Sequence, residues 1–341
     1  MPGVVETYPW HAEAWQALHA RHAQGRLPHA LLLDGPPGIG RHAFARRIAG
    51  ALLCRQPDAG TGDACGECPA CRQFTSGSHP DFRHVRLLLK GESVGGKKRD
   101  SDATQILIDQ VRELGTALGM SAQHGGWKVA LIDPADQMMP AAANALLKTL
   151  EEPTPRTLLV LVVTHPRRLL ATIRSRCQTV TLKVPARDAA RAWLAERKIA
   201  DGEALLAMAD GAPLQAMQLA EEGAAKARHK AFDSFLAVAS GREDPVTVAA
   251  AWSGADTPRL LGWLGGWLVD MIRIKQAPGM SLLDNLDLGD RMQGLVEHIE
   301  LNELFARFDE LQRARRLVTT QVNTQLLCEE LLLGWRPGPG H

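Results

Sequence analysis

Short aliphatic runs alternate with helical stretches through the first half of this chain. Candidate strands lie at 30–33, 82–88, 128–132 and 158–164. Strands of a parallel sheet are buried on both faces and therefore read as continuous hydrophobic runs, as these largely do. Their alternation with helical stretches predicts an α/β fold built on a parallel sheet up to about residue 166.

The rest of the chain is dominated by helical patterns. Short helices are predicted for 167–223, and apolar residues recur at helical spacing beyond them. We therefore predict three domains: an α/β domain at 1–166, a small helical domain at 167–223 and an all-helical domain at 224–341. A Gly-rich polar segment at 90–102 is expected to form a surface loop.

Composition limits the classes of partner and location. The formal net charge is +1, so any contact with DNA must come from a local patch or from a partner protein. No aliphatic run approaches the roughly 20 residues that span a bilayer. Residues 1–11 lack the basic and apolar segments of a secretory signal. We therefore expect a cytoplasmic protein whose cysteines are reduced.

Most of the cysteines cluster in one short window. They are Cys54, Cys65, Cys68 and Cys71. Two consecutive C-x-x-C steps with an upstream thiol are typical of a closed tetrahedral zinc site, and thiolates are soft ligands that suit Zn²⁺. An iron–sulfur cluster, unliganded thiols, and His79 as the fourth ligand are the alternatives. Because nothing supplies an open catalytic position, we predict a structural zinc ion in an insertion at 54–71.

A glycine-rich turn follows the first strand, where a phosphate-binding loop would lie. Its residues are Gly35, Pro36, Pro37, Gly38, Ile39, Gly40 and Arg41. A working P-loop needs Lys and then Ser or Thr where this chain has Arg41 and His42, and an imidazole is a poor substitute for a hydroxyl that holds Mg²⁺. We expect either residual nucleotide binding without hydrolysis or a turn that serves packing alone.

The third strand ends in Asp133, as a Walker B strand does when its carboxylate helps to hold Mg²⁺. Hydrolases of this type usually have a glutamate next, but this chain has Pro134, which cannot act as a base. Asp136 lies two residues further on and is a poor replacement. We therefore expect ATP and Mg²⁺ not to support hydrolysis by this chain.

Several further motifs resemble those of the bacterial clamp-loader subgroup of AAA+ proteins. They are YPW at 8–10, the four-cysteine insertion, SHPDF at 78–82, AAANALLKTLEEP at 141–153, SRC at 175–177 and VNTQLLCEELLL at 322–333. The resemblance implies an AAA+ domain with a RecA-like P-loop sheet, a small helical lid, and a helical collar through which subunits assemble. It also implies gamma/tau and delta subunits as partners, and the sliding clamp and primer–template DNA through the complex, with no membrane.

The same resemblance implies roles for individual residues. Arg176 of SRC would reach a neighbouring subunit's ATP site as an arginine finger. Arg174 is the nearest alternative finger. Arg176 could instead have a purely structural role, pairing with a carboxylate at a helix end. Thr164 matches the sensor position, whereas Leu214 stands where motor subunits carry a sensor arginine. We therefore predict a non-hydrolysing stator of the DNA polymerase III clamp loader. An active gamma/tau-like ATPase and a zinc-dependent nucleic-acid-binding module are the alternatives.

Overall fold

The computed structural model describes residues 6–253, 256–277, 283–297, 299–318 and 322–336. The chain divides into two compact units, Met1–Pro185 and Ala186–His341, which are described separately. The predicted first and last domain limits, residues 1 and 341, lie outside the described residues. None of the described helices combines the length and apolar character that a bilayer-spanning segment needs.

A parallel sheet forms the centre of the first unit. The strands are β1 (Ala30–Asp34), β2 (Phe82–Val85), β3 (Ser93–Val94), β4 (Lys97–Lys98), β5 (Lys128–Ile132), β6 (Thr157–Val163) and β7 (Gln178–Thr181). Five of them pair in the order β2–β5–β6–β1–β7, and every pair in this sheet is parallel. All residues of β5 and β6 are buried, as expected of parallel strands covered on both faces.

Helices cover this sheet through apolar stripes. They are α1 (Ala12–Ala23), α2 (Arg41–Leu53), α3 (Pro69–Thr75), α4 (Ile108–Gly119), α5 (Pro140–Glu151) and α6 (Ala171–Arg174). In α4 the buried residues Val111, Leu114 and Leu118 recur at steps of three and four, which places them on one helix face. They share a core with Leu146 and Leu150 of α5 and with the strands.

Two elements of this unit differ from the prediction. β7 was missed because burial alternates along its residues, which include polar side chains and form no hydrophobic run. Since β7 belongs to the sheet, the predicted boundary at 166 lies inside the first compact unit. Within the expected loop at 90–102, β3 and β4 form a hairpin whose turn is made by Gly95 and Gly96, both at positive φ.

The regular elements described in the second unit are helices. They are α7 (Arg187–Glu196), α8 (Gly202–Met208), α9 (Pro213–Glu221), α10 (Ala224–Ala239), α11 (Pro245–Ser253), α12 (Thr257–Gln276), α13 (Gly289–Val296), α14 (Leu301–Leu317) and α15 (Thr324–Leu333). Trp267 is fully buried and packs against Phe232 and Phe235, with ring centroids 5.0 and 5.7 Å away. The parallel sheet and this helical region confirm the predicted α/β class with a helical C-terminal part.

Candidate functional site

The first half of the glycine-rich turn is shaped by close backbone approach. Pro36 and Pro37 are exposed, whereas Gly35 faces the segment after β7. A Cβ at Gly35 would lie 2.5 Å from the carbonyl oxygen of Leu182, which leaves no room for a side chain. Gly38 has a φ of 74°, a conformation that favours glycine. These positions explain the glycines by geometry alone.

The second half of the turn is held by residues that precede α1. A Cβ at Gly40 would lie 2.4 Å from Cε2 of Tyr8, so this ring excludes a side chain there. The carbonyl oxygen of Ile39 accepts hydrogen bonds from Trp10 Nε1 and His11 Nε2, both at 2.8 Å. The YPW opening therefore contacts the turn directly, a role that its distance along the sequence concealed.

The residues that replace the P-loop lysine and hydroxyl contact other predicted site residues. Arg41 Nη2 donates to Thr164 Oγ1 at 2.8 Å, and Arg41 Nη1 donates to the carbonyl of Val163. His42 Nδ1 lies 2.6 Å from Asp133 Oδ2. In a working site, the basic side chain at position 41 would contact phosphate, and the carboxylate of Asp133 would help to hold Mg²⁺. Here both groups already have protein partners.

Asp136 is engaged in a structural contact. Its carboxylate accepts hydrogen bonds from the backbone N–H groups of Thr164 and His165, at 3.4 and 3.0 Å. The residue is buried in the short 3₁₀ helix that follows Pro134. These bonds fix the segment that follows β6, so Asp136 stabilises the position of Thr164 at the carboxyl end of that strand.

The four cysteines of the insertion converge on one point. All four Sγ atoms lie within 4.8 Å of one another. Cys54 Sγ lies 3.5 Å from Cys65 Sγ and 3.9 Å from Cys68 Sγ, and Cys65 Sγ lies 3.9 Å from Cys71 Sγ. A tetrahedral zinc ion with Zn–S bonds near 2.3 Å needs sulfur separations of about 3.8 Å. The donor set and its spacing therefore fit one zinc ion.

Local backbone geometry prepares these sulfur atoms for a metal. The N–H groups of Cys65, Cys68 and Cys71 donate to the Sγ atoms of the preceding cysteines in the cluster at 3.3–3.5 Å. Hydrogen bonds of this kind stabilise thiolates, the form that binds metals. His79 is instead buried outside the cluster, where its Nδ1 accepts from the N–H of Asp81 at 3.1 Å.

The insertion is fastened to α1 and α2. Arg47 donates through Nε and Nη2 to the two carboxylate oxygens of Asp63, at 2.6 and 2.8 Å. Trp15 Nε1 donates to the carbonyl of Thr61 at 2.7 Å, and the Arg47 guanidinium lies 4.1 Å from the centre of the Trp15 ring. Cysteine spacing could not reveal Arg47 or Trp15, because both lie outside the insertion.

Arg176 lies just beyond α6, on the surface of the first unit. Its side chain is 36% exposed, and Nη2 lies 2.8 Å from Glu151 Oε1. Nη1 donates to the carbonyl of Thr172 at 2.9 Å. Arg174, the alternative finger, is exposed at the end of α6. Arg176 therefore makes the ion pair with a carboxylate at a helix end that was the structural alternative, while about a third of its side chain stays exposed.

Acidification is expected to destabilise the packing around the glycine-rich turn. Burial lowers the pKa of His11 to about 4, and burial, with a smaller contribution from His42, lowers the pKa of His84 to about 4. Their ordinary value is 6.5, so between about pH 4 and 6.5 the unfolded chain binds more protons than the folded chain. The free energy of unfolding should therefore fall as pH is lowered through this range.

Denaturant titrations at several pH values from 7.5 to 5 would measure this fall, with about ±10–15% uncertainty in each extrapolated free energy. Carboxylates also titrate near the acid end, so the matched comparison is a His11→Gln, His84→Gln double variant. Its unfolding free energy should depend less steeply on pH than that of the wild type. Identical slopes in the two proteins would contradict the assignment.

Known proteins resemble this chain along nearly its whole length. Residues 10–186 match the family described as DNA polymerase III, delta subunit, and residues 222–337 match DNA polymerase III, delta subunit, C terminal. The DNA polymerase III subunit delta' of Pseudomonas aeruginosa is 35% identical over 99% of this chain and 100% of its own length. The subunit delta' of Escherichia coli is 33% identical over 96% of this chain and 94% of its own. A gamma subunit-related protein from Thermotoga maritima superposes with a TM-score of 0.44 at 18% identity, covering 94% of this chain and 98% of that one.

Proposed function

This chain belongs to the family of DNA polymerase III delta' subunits, and on that premise we propose that it is a non-hydrolysing stator of a clamp loader. It would assemble with gamma/tau and delta subunits in the cytoplasm. Through that complex it would help to load the sliding clamp onto primer–template DNA. Its own contribution would be an arginine finger, Arg176, offered to the ATP site of a neighbouring subunit.

The state of its own nucleotide loop is the observation that most supports a role without hydrolysis. A phosphate group would have to compete with Thr164 and the Val163 carbonyl for Arg41. A magnesium ion would have to displace His42 from Asp133. Pro134 then leaves the usual position of the catalytic glutamate without a base. Together, the engaged Arg41, the His42–Asp133 contact and Pro134 support a stator more than a motor.

The isolated chain is expected neither to hydrolyse ATP nor to be stabilised by it. A ligand that binds only the folded state raises the unfolding free energy by about 2.7 kcal/mol at one hundred times its Kd. Thermal unfolding with and without excess MgATP should therefore give the same Tm, while a gamma/tau subunit treated identically serves as the positive control. Steady hydrolysis that Arg41→Ala abolishes would identify an active motor and exclude the stator role.

The position of Arg176 supports action in trans. Its side chain is 36% exposed on the first unit, and a finger must reach beyond its own subunit to meet a neighbour's γ-phosphate. A preplaced guanidinium stabilises the charge that develops during phosphoryl transfer, and in other NTPases this accelerates hydrolysis by about 10³- to 10⁵-fold. Reconstitution with the ATPase subunits and an Arg176→Ala variant tests the role directly.

We propose that the four-cysteine centre holds a structural Zn²⁺. Four thiolates complete the tetrahedral coordination of zinc and leave no position for a substrate or water. The ion would join the end of α2 to α3. The hydrogen bonds from Arg47 and Trp15 would hold the loop between these helices against α2 and α1. Zinc would then stabilise the first unit rather than take part in chemistry.

Helices of the second unit are proposed to form the lid and the collar. α7, α8 and α9 would make the lid, and the helices from α10 onward would make the collar at 224–341 that binds other subunits. Leu214 lies in α9, at the position where motor subunits carry a sensor arginine. An uncharged side chain there agrees with a lid that does not respond to phosphate.

A further inference from the structure

The guanidinium of Arg176 is held from two directions. Glu151 Oε1 contacts Nη2 at 2.8 Å, and the Thr172 carbonyl accepts from Nη1 at 2.9 Å. A guanidinium carries five N–H donors in a rigid planar fork, so two contacts fix its plane and leave donors for a further acceptor. Arg176 is thus oriented by its own subunit while keeping hydrogen-bonding capacity.

The location of Glu151 is unfavourable for helix stability. Glu151 is the last residue of α5, where the helix dipole favours a cation over a carboxylate. Its pairing with Arg176 compensates little, because the two side chains are 50% and 36% exposed and ion pairs this exposed contribute little to stability. Residues that break a local rule are expected at functional positions. Glu151 is therefore better explained by what it does for Arg176.

We propose that Glu151 is a positioning residue for the Arg176 finger, an inference that rests on the trans role proposed for Arg176. With the Thr172 carbonyl, it would hold the guanidinium in one orientation before the neighbour's ATP arrives. An untethered arginine would have to lose its rotamer freedom in the transition state. Ordering one long side chain in the transition state lowers a rate constant by about two- to tenfold. Glu151 would remove this penalty and so raise the rate of hydrolysis by about the same factor.

The test uses clamp loaders reconstituted with Glu151→Ala, Glu151→Gln or Glu152→Ala in this chain. Glu151→Ala should lower kcat at the neighbouring ATP site by about two- to tenfold with little change in KM, by loss of orientation. Glu151→Gln should fall between it and the wild type, since an amide oxygen still accepts a hydrogen bond. Glu152, the matched control, is exposed at the same helix end without a side-chain partner among the described residues, and its variant should behave as the wild type.

Arg176→Ala and the Arg176→Ala, Glu151→Ala double variant separate this inference from the function beneath it. Glu151→Ala should have no further effect once Arg176 is absent. If Arg176→Ala abolishes activation but Glu151→Ala leaves kcat unchanged or raises it, Glu151 does not position the finger. If Arg176→Ala itself has no effect, the trans role fails. Rates are counted per assembled complex isolated by gel filtration, so that a loss of assembly does not lower the measured kcat. If the Glu151–Arg176 pair were purely structural, Glu151→Ala would lower Tm and leave this kcat unchanged.

Discussion

Replacing Arg176 by alanine is expected to slow ATP hydrolysis at the neighbouring subunit's site by about 10³- to 10⁵-fold. The guanidinium would meet negative charge that grows as the γ-phosphoryl group is transferred, so its removal raises the barrier more than it weakens ATP binding. The effect should therefore appear in kcat rather than in KM. Sites between two motor subunits should keep their rates, because they do not face this chain.

Pre-steady-state hydrolysis resolves this change, since a steady-state rate adds all sites together. The burst of ATP hydrolysed per assembled complex should fall by the share of a single site. Arg174→Ala separates the two candidate fingers, because Arg174 is an exposed arginine at the end of α6, two residues before Arg176, and its variant should keep the burst. Arg176→Lys should recover only part of the rate, since lysine keeps the charge but lacks the planar fork. An unchanged burst with Arg176→Ala would refute the finger.

Replacing Cys71 by serine is expected to release zinc and destabilise the first unit. Cys71 is 1% exposed at the start of α3, so its loss opens the coordination sphere at the best-buried ligand. Structural zinc contributes apparent binding free energies of about 10–16 kcal/mol in peptides that are unfolded without it. Here α2, which carries Cys54 at its end, also packs against the sheet, so we expect a loss of unfolding free energy well below that limit but still about several kcal/mol.

Metal analysis and denaturant titration of the purified chain measure both effects. The wild type should carry one zinc per chain, and Cys71→Ser should carry markedly less. Cys177→Ser is the control for zinc content, since Cys177 is a half-buried thiol outside the cluster. Chelation should also shift the emission of Trp15, whose indole donates to the Thr61 carbonyl inside the insertion. The zinc assignment would be contradicted if the wild type bound iron. It would also be contradicted if the wild type carried no metal, or were equally stable with and without zinc.

Hydrophobic runs predicted four strands of the five-stranded sheet and failed at β7, one of its two edge strands. β5 and β6 are central, fully buried strands, and their sequences are continuous aliphatic runs. Within the described residues β7 pairs with β1 alone and has no fully buried residue, so its sequence carries no such run. A hydrophobic run indicates a buried strand. The residues of β7 are only partly buried or exposed, so this signal is absent there.

Motif spacing predicted the candidate site where its residues are close in sequence. The cysteines of the insertion are brought together by a short loop, which spacing describes well. The contact of Arg41 with Thr164 depends on β1 lying beside β6, and that of His42 with Asp133 crosses to β5. Such pairs follow from the strand order, which no single motif contains.

We propose that this chain activates a neighbour's ATPase and has no active site of its own. A crossed comparison tests it most directly: clamp loaders containing Arg176→Ala or His42→Ala in this chain are assayed side by side for hydrolysis stimulated by primed DNA and clamp. We predict that Arg176→Ala removes hydrolysis at the adjacent site while His42→Ala matches the wild type. Loss of hydrolysis with His42→Ala, together with full activity of Arg176→Ala, would instead identify this chain as an ATPase and exclude the finger.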